Sequence, residues 1–128
     1  MTRFLLDTTF LIDVLNNRRN RPAAMKDLIA NQHELACCAV NVTEVYSGMR
    51  APETGETEAL LRSLLYIPID FEAARLAGEL RRTWARKGKS YLVPDMIIAA
   101  VCIIEKLTLI TDNRKDFAMP GLTLHPLP

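Results

Sequence analysis

Four apolar runs in this chain each lead into an acidic residue. The first run begins at Phe4 and ends directly at Asp7, and later runs precede Glu44, Asp95 and Asp112. In open α/β sheets, ligands bind at the edge where the carboxyl ends of the parallel strands lie. An acid that follows an apolar strand is therefore expected at that edge. The pattern predicts a fold that brings four carboxylates together.

The segments between these runs have the spacing of helices. The most regular one runs from Phe71 to Arg86, with Leu76, Leu80 and Trp84 on one side. Strands that alternate with helices predict a parallel sheet with helices on both faces. The predicted strands begin at residue 4 and span 35–40, 66–69, 107–111 and 121–124, the last at a sheet edge. The predicted helices span 10–15 and 22–29, begin at 41, and then span 56–65, 71–86 and 96–104.

The composition fits one folded domain of residues 1–128. The chain has 128 residues, of which 49% are hydrophobic, and a chain of this size buries roughly two thirds of its unfolded surface. The formal charge of +1 excludes binding of polyanions through overall charge, so nucleic-acid contacts would come from local basic clusters. Such clusters occur at residues 18–26, 81–89 and 114–115, and each by itself is more typical of a solvated surface.

The cysteines and the hydropathy pattern exclude other classes of protein. Cys37, Cys38 and Cys102 are odd in number and lack C-x-x-C spacing, which argues against a disulfide framework and a zinc site. We expect them to be small buried hydrophobes. The first residues do not form a signal peptide, and no apolar stretch reaches the roughly 18 residues of a membrane span. A cytoplasmic protein without a membrane partner is therefore predicted.

Each of the three later acids also has a purely structural interpretation. Glu44 follows Asn41 by three residues, the spacing of a capping box at a helix start. Asp95 follows Pro94, where free amides and the helix dipole favour a carboxylate. Asp112 follows a strand and would fit an Asx turn. For each acid taken singly, the structural interpretation is favoured.

Capping does not require that all these acids lie at the same edge of a sheet. Clustered carboxylates repel one another unless a cation neutralises them or one of them takes up a proton. Hard oxygen ligands without nearby His or Cys select Mg²⁺ or Mn²⁺ over zinc. His33 and His125 each stand alone in the sequence and are expected to be structural or exposed.

Four segments in this order and spacing resemble the motifs of PIN-domain ribonucleases, and most closely those of the VapC toxins of bacterial toxin–antitoxin pairs. The resemblance covers nearly the whole chain. The segments are LDTTFLID from Leu6, VTEVYSG from Val42, PDMIIAA from Pro94 and TDNRKDF from Thr111.

The resemblance implies a three-layer α/β/α sandwich with a central parallel sheet, and an endoribonuclease that requires Mg²⁺ or Mn²⁺. By the match, the acidic site consists of Asp7, Glu44 and Asp95. The family often has Arg where this chain has Asp112. The fourth ligand therefore remains open between Asp112, Asn113 and Asp116.

Divalent ions would activate water for attack on the phosphodiester, and the resemblance implies products with a 5′ phosphate and a 3′ hydroxyl. Unpaired RNA loops are the expected target, because unstacked bases can reach a surface site. The predicted substrate contacts are Thr9, Asn113, Arg114 and Lys115.

The resemblance also implies a cognate antitoxin and a homodimer. We expected apolar surface for the antitoxin at Leu60, Leu61, Leu64 and Leu65, a leucine face that is more often core. Three alternatives remain: an RNA-processing PIN nuclease without a toxin role, an inactive PIN-like binding module, and a phospho-acceptor switch domain. The last is expected to carry an acidic pair after the first strand, whereas two threonines follow Asp7 here.

Overall fold

A computed structural model describes residues 2–127 of the chain. It contains a five-stranded sheet in which every pairing is parallel, in the order β3-β2-β1-β4-β5. The predicted parallel sheet is confirmed, and β5 lies at an edge as expected. The strands are β1 (Arg3–Leu6), β2 (Glu34–Cys38), β3 (Leu65–Ile67), β4 (Thr108–Ile110) and β5 (Thr123–His125).

Helices cover both faces of the sheet, which gives the three-layer architecture. Alternation along β1 assigns the faces: Leu5 packs with the residues of α5 and α6, whereas Phe4 and Leu6 pack with those of α1 to α4. Both sets of side chains are buried. The helices are α1 (Thr8–Leu15), α2 (Arg21–Ala30), α3 (Ala39–Ser47), α4 (Thr54–Arg62), α5 (Phe71–Arg86) and α6 (Val93–Glu105).

Helix α5 has the predicted bounds, and α6 is buried against the sheet as predicted. The side of α5 that carries Ala73 and Ala77 is buried. On its exposed side, Arg75 forms ion pairs with Glu72 at 2.7 Å and with Glu79 at 2.6 Å. The buried residues of α6 are all apolar, namely Met96, Ile98, Ala99, Ala100, Val101 and Cys102.

Several predicted boundaries differ from the structure by one to three residues, and at two of them tertiary contacts decide the outcome. Helix α3 begins at Ala39 rather than Asn41, since the buried Asn41 side chain accepts a hydrogen bond from the Cys38 N–H at 2.9 Å and completes the first turn. Helix α4 ends at Arg62 rather than residue 65, since Leu65 pairs with Ala36 as the first residue of β3. Pairing with a formed strand overrides the helical spacing of these leucines.

The strand order places a topological switch point beside β1. From β1 the chain proceeds to β2 and β3 on one side, then returns to place β4 on the other side of β1. In sheets of this kind, the crevice at the carboxyl ends of the two strands that flank the switch point is the usual ligand site. Asp7 directly follows β1, and Thr111 and Asp112 follow β4. The fold therefore places residues of two predicted motifs at this crevice.

Candidate active site

Asp7 lies at the crevice and is held by residues of its own motif and of the last motif. Its backbone N–H donates to the Ile110 carbonyl at 3.0 Å, which continues the β1–β4 ladder. Its Oδ1 accepts from the Thr8 N–H at 2.8 Å and caps α1. Its Oδ2 accepts from the Thr111 hydroxyl at 2.7 Å. The carboxylate is therefore buried and has a fixed orientation.

Glu44 reaches the same edge from the middle of α3. Its Oε1 accepts a hydrogen bond from the Thr8 hydroxyl at 2.7 Å, and that hydroxyl in turn accepts from the Asn41 amide at 3.3 Å. Because α3 begins at Ala39, Glu44 takes no part in a capping box. The structural interpretation of this acid is wrong, and Glu44 is connected instead to the residue that follows Asp7.

Asp95 lies in the first turn of α6, which begins after Leu92. Burial is the main reason that the pKa of Asp95 is raised from 3.8 to about 6, and the negative charges of Asp7, Asp116 and Glu44 raise it further. Burial is also the main reason that the pKa of Asp7 is raised, although its hydrogen bonds from Thr111 and Thr8 oppose the shift. The charge of Glu44 adds to the effect on Asp7. The three acids therefore act on one another electrostatically.

Asp112 follows β4, as predicted, but two arginines hold its carboxylate. The Arg19 guanidinium donates to Oδ2 at 2.9 Å and to Oδ1 at 3.3 Å, and Arg21 donates to Oδ1 at 2.7 Å. Arg21 is buried and lies 5.9 Å from the centre of the Phe10 ring. The Asx-turn interpretation is also wrong, because the hydroxyl of Thr111 accepts the Asn113 N–H.

The remaining residues of the last motif occupy the short 3₁₀ helix Arg114–Phe117 and the turn before it. Asp116 is exposed and close enough to Asp95 to raise its pKa. Arg114 donates to the His125 carbonyl at 3.3 Å, and the Lys115 carbonyl accepts from the Lys89 ammonium at 3.1 Å. Of the three candidates for the fourth ligand, Asp116 raises the pKa of Asp95, whereas Asp112 raises the pKa of Asp7 but is bound by the two arginines.

Sequence reasoning missed several polar residues that orient the acids. Thr9 was predicted to contact substrate and is exposed, whereas Thr8 makes the contact with Glu44. The position of Thr8 directly after Asp7 was a usable signal, because the first helical residue of α1 must lie beside its cap. No pattern in the sequence distinguishes Arg21, whose burial depends on a partner 91 positions away.

The donor set fits a hard divalent cation. Asp7, Glu44, Asp95 and Asp116 offer only oxygen atoms, and no positive side chain opposes the rise in pKa that burial and neighbouring acids cause at Asp7 and Asp95. Within residues 2–127, no three side chains of His, Cys, Asp or Glu are close enough to hold one ion between them. Mg²⁺ is commonly held by one or two carboxylates, with water and substrate phosphate as the other ligands. The arrangement is compatible with that mode of binding.

The histidines and cysteines lie in structural positions. The rings of His33 and His125 pack edge-on against Phe4, with centroids 5.2 and 5.0 Å away. The thiols of Cys37, Cys38 and Cys102 are buried, as predicted. In the part of the chain that the structure covers, no helix has the length and hydropathy needed to cross a membrane.

The fold and the acidic edge define the class of protein. The profile of the PIN domain family matches residues 4–119, which includes every acid of the site. The chain belongs to the PIN-domain family and, within it, to the VapC-type ribonuclease toxins.

Individual relatives support this placement. Ribonuclease VapC10 of Mycobacterium tuberculosis is 31% identical over 122 residues, which cover 85% of this chain and 92% of that protein. A toxin–antitoxin complex from Klebsiella pneumoniae contains a chain with 31% identity and a TM-score of 0.77, covering 93% of this chain and 94% of that one. VapBC2 from Rickettsia felis, bound to a DNA fragment from its promoter, has the same fold, with a TM-score of 0.84 at 23% identity over 97% of this chain and 98% of that one.

Proposed function

We propose that this protein is a Mg²⁺- or Mn²⁺-dependent endoribonuclease that acts as the toxin of a toxin–antitoxin pair. The observation that carries the proposal is the group of carboxylates from separate elements at the switch point, with the pKa of Asp95 raised to about 6. The stability of separate helices and strands does not require that each of them place a carboxylate beside the others. A bound cation removes the electrostatic cost of that arrangement.

Asp7, Glu44, Asp95 and Asp116 are the proposed cation-binding residues, of which one or two would contact the ion directly and the others through water. The ion supplies the polarisation of water and the neutralisation of phosphate charge that hydrolysis requires. The protein fixes the carboxylates: Thr111 holds Asp7 at 2.7 Å, and Thr8 holds Glu44 at 2.7 Å. With both histidines packed on Phe4, Glu44 is the proposed group for orienting the attacking water, since it is exposed and already hydrogen-bonded.

Substrate contacts are proposed along the basic surface beside Asp95 and Asp116. Lys89 joins the loop after α5 to the 3₁₀ helix through its bond to the Lys115 carbonyl. Arg86, Lys87 and the Lys115 side chain are exposed nearby. Cationic groups of this kind bind phosphates and orient RNA without selecting a sequence. Thr9, Asn113 and Arg114 are also exposed and remain candidates for contact with substrate.

An RNA cleavage assay tests the proposal. Purified protein is incubated with a fluorescent RNA that contains unpaired loops, in Mg²⁺, in Mn²⁺ and in excess EDTA. We expect cleavage in both metals, none in EDTA, and recovery when Mg²⁺ is restored. Asp7→Asn should abolish cleavage, whereas the matched control Asp27→Asn, on the exposed side of α2, should not. Unaltered cleavage in EDTA would contradict the proposal.

An antitoxin partner is proposed by analogy with the solved complexes. A solved structure with 31% identity to this chain is a toxin–antitoxin complex from Klebsiella pneumoniae. The leucine face predicted for this contact is mostly core, since Leu61 and Leu64 are buried. A groove between α1 and α3 offers apolar side chains instead, with Arg18 and Arg50 at its rim; the apolar residues are Ile12, Leu15, Val45 and Met49.

The product of the adjacent gene should therefore co-purify with this protein and suppress its cleavage of RNA. Light scattering of the purified protein tests the proposed homodimer in the same experiment. A chain that stays monomeric and retains no partner from its own host would argue against both interactions.

A further inference from the structure

A buried ion-pair cluster lies directly behind the acidic edge. Arg21 is 1% exposed, and its Nη2 donates to Asp112 Oδ1 at 2.7 Å. Arg19 contacts the same carboxylate at 2.9 Å and also faces Asp13 Oδ2 at 3.6 Å. Two guanidinium groups therefore surround Asp112, whereas no cation of the protein pairs with Asp7, Glu44 or Asp95 within residues 2–127.

The cluster is connected to Asp7 through the backbone next to it. Asp112 directly follows Thr111, whose hydroxyl donates to Asp7 Oδ2 at 2.7 Å and accepts the Asn113 N–H at 3.0 Å. A carboxylate anchored by two arginines fixes the backbone on which that hydroxyl lies. Arg19 and Arg21 therefore bind the residue that directly follows Thr111, and Thr111 orients Asp7.

We propose that Arg21, assisted by Arg19, is a positioning residue that withholds Asp112 from the cation ligands and holds Thr111 against Asp7. This inference rests on the proposed function, because it assigns roles around the same site. It predicts that Asp112 and Asp116 differ in function although they lie four positions apart in one motif. Asp116 binds the cation, whereas Asp112 binds arginine.

The geometry gives a prediction with a definite sign. If Arg21 is removed, Asp112 loses its buried partner and the site loses one positive charge, although Arg19 still contacts Asp112. The more negative potential beside Asp7 strengthens the binding of a divalent ion, by about threefold or more at partly screened distances. Thr111 would then be held less firmly against Asp7, so cleavage should slow. If Arg21 only supported the fold, its removal would weaken Mg²⁺ binding or leave it unchanged.

The test measures the Mg²⁺ concentration that gives half of the maximal rise in melting temperature, with RNA cleavage as a second readout. Arg21→Met should lower that concentration at least threefold and reduce cleavage. Asp112→Asn should keep the full rise in melting temperature that Mg²⁺ produces, whereas Asp116→Asn should lose this rise. The double variant Arg21→Met/Asp112→Asn should return to within about twofold of wild type, because the freed charge is gone.

Two further variants keep the test decisive if Arg21→Met does not fold. Arg19 is half exposed, with 52% of its side chain accessible, so Arg19→Met should fold and lower the half-maximal Mg²⁺ concentration in the same direction. Arg3→Met breaks an ion pair of similar exposure with Glu34 at the opposite end of the sheet and should leave that concentration unchanged.

The outcomes separate this inference from the proposed function. A wild-type protein with neither a Mg²⁺ response nor cleavage would overturn both. A normal wild-type response that Asp112→Asn abolishes as fully as Asp116→Asn would overturn the inference alone, since Asp112 would then be a ligand. Weaker Mg²⁺ binding in Arg19→Met or Arg21→Met, without restoration in the double variant, would also overturn it.

Discussion

The substitution Asp95→Asn should change the stability of this protein in opposite directions with and without Mg²⁺. In the folded, metal-free chain, burial and the neighbouring acids raise the pKa of Asp95 from 3.8 to about 6. The ionised carboxylate is therefore disfavoured by folding. Asparagine has nearly the same shape and no charge, so the substitution removes the penalty.

The magnitude follows from the shift in pKa. A shift of about two units corresponds to about 3 kcal/mol. Because Asp95 is only half-buried, solvent screening reduces this to about 1.5 kcal/mol. The lost interaction of the carboxylate with the α6 dipole offsets about 0.5 kcal/mol. Asp95→Asn should therefore be more stable by about 1 kcal/mol in EDTA at pH 7.5, a rise of about 3 °C in melting temperature.

The pH dependence has a defined direction. Below pH 3.8 the carboxyl is protonated in both the folded and the unfolded state, and Asp95 carries no penalty. Between pH 3.8 and about 6 the folded protein retains a proton that the unfolded chain has lost, so wild-type stability falls as the pH rises. The advantage of Asp95→Asn should therefore be complete above about pH 6 and absent below pH 3.8.

Mg²⁺ should reverse the order of the two proteins. A concentration one hundred times Kd stabilises wild type by about 2.7 kcal/mol, and the variant, which lacks a ligand, by much less. Wild type should then be more stable by about 1–2 kcal/mol. Thermal unfolding in EDTA and in Mg²⁺ measures both differences.

Asp70 provides the matched control, since its side chain caps α5 by accepting from the Ala73 N–H at 2.9 Å. Asparagine caps a helix about as well as aspartate. Asp70→Asn should therefore respond to Mg²⁺ as wild type does. Parallel shifts of wild type and Asp95→Asn under both conditions would refute the reasoning and show that Asp95 has no part in cation binding.

Three other predictions concern the surroundings of the site, the core and the surface. Asn41→Ala should lower the free energy of unfolding, measured in urea, by about 1–3 kcal/mol, because the buried amide bonds both the Cys38 N–H and the Thr8 hydroxyl. It should also slow cleavage, since Thr8 in turn contacts Glu44; unchanged cleavage would show that Glu44 does not depend on this hydrogen-bond chain. Burial raises the pKa of Cys37 to about 11. Iodoacetamide at pH 8 should therefore modify this thiol about a hundredfold more slowly in the native protein than in urea. Equal rates of modification, measured by mass spectrometry, would contradict the burial of Cys37. Arg75→Ala should cost less than about 1 kcal/mol because its ion pairs are exposed, and a larger loss in thermal unfolding would contradict that expectation.

The sequence predicts the fold well where local pattern and tertiary environment agree. The amphipathic spacing of residues 71–86 predicts α5 with correct bounds because its apolar side packs against α6 and the core, with Ala73 and Ala77 buried. Prediction fails at Leu65 and Asn41, where contacts with distant or buried groups decide the boundary. Leu65 continues a helical spacing, yet pairing with Ala36 makes it a strand residue.

The candidate site is predictable to a similar degree. Asp7, Glu44 and Asp95 were identified as candidates because each follows an apolar run, and the structure places their charges within reach of one another. The partners of Asp112 were not predictable, because Arg19 and Arg21 are 93 and 91 positions away and lie in a polar run typical of solvated loops. The packing of α2 against α1, which places Arg21 5.9 Å from the centre of the Phe10 ring, buries that charge.

The pairing of β1 with β4 has a consequence for synthesis of the chain. Asp7 receives its orienting hydrogen bond from Thr111, 104 positions later, and its strand pairs with residues 108–110. The acidic edge therefore cannot exist while translation has completed only the first two or three strands. If the proposed nuclease activity holds, a nascent chain should be inert until residues up to 116 have left the ribosome, and chains interrupted earlier should have no activity. Long-range parallel pairing of this kind also folds slowly, which extends the interval before the acidic edge is complete.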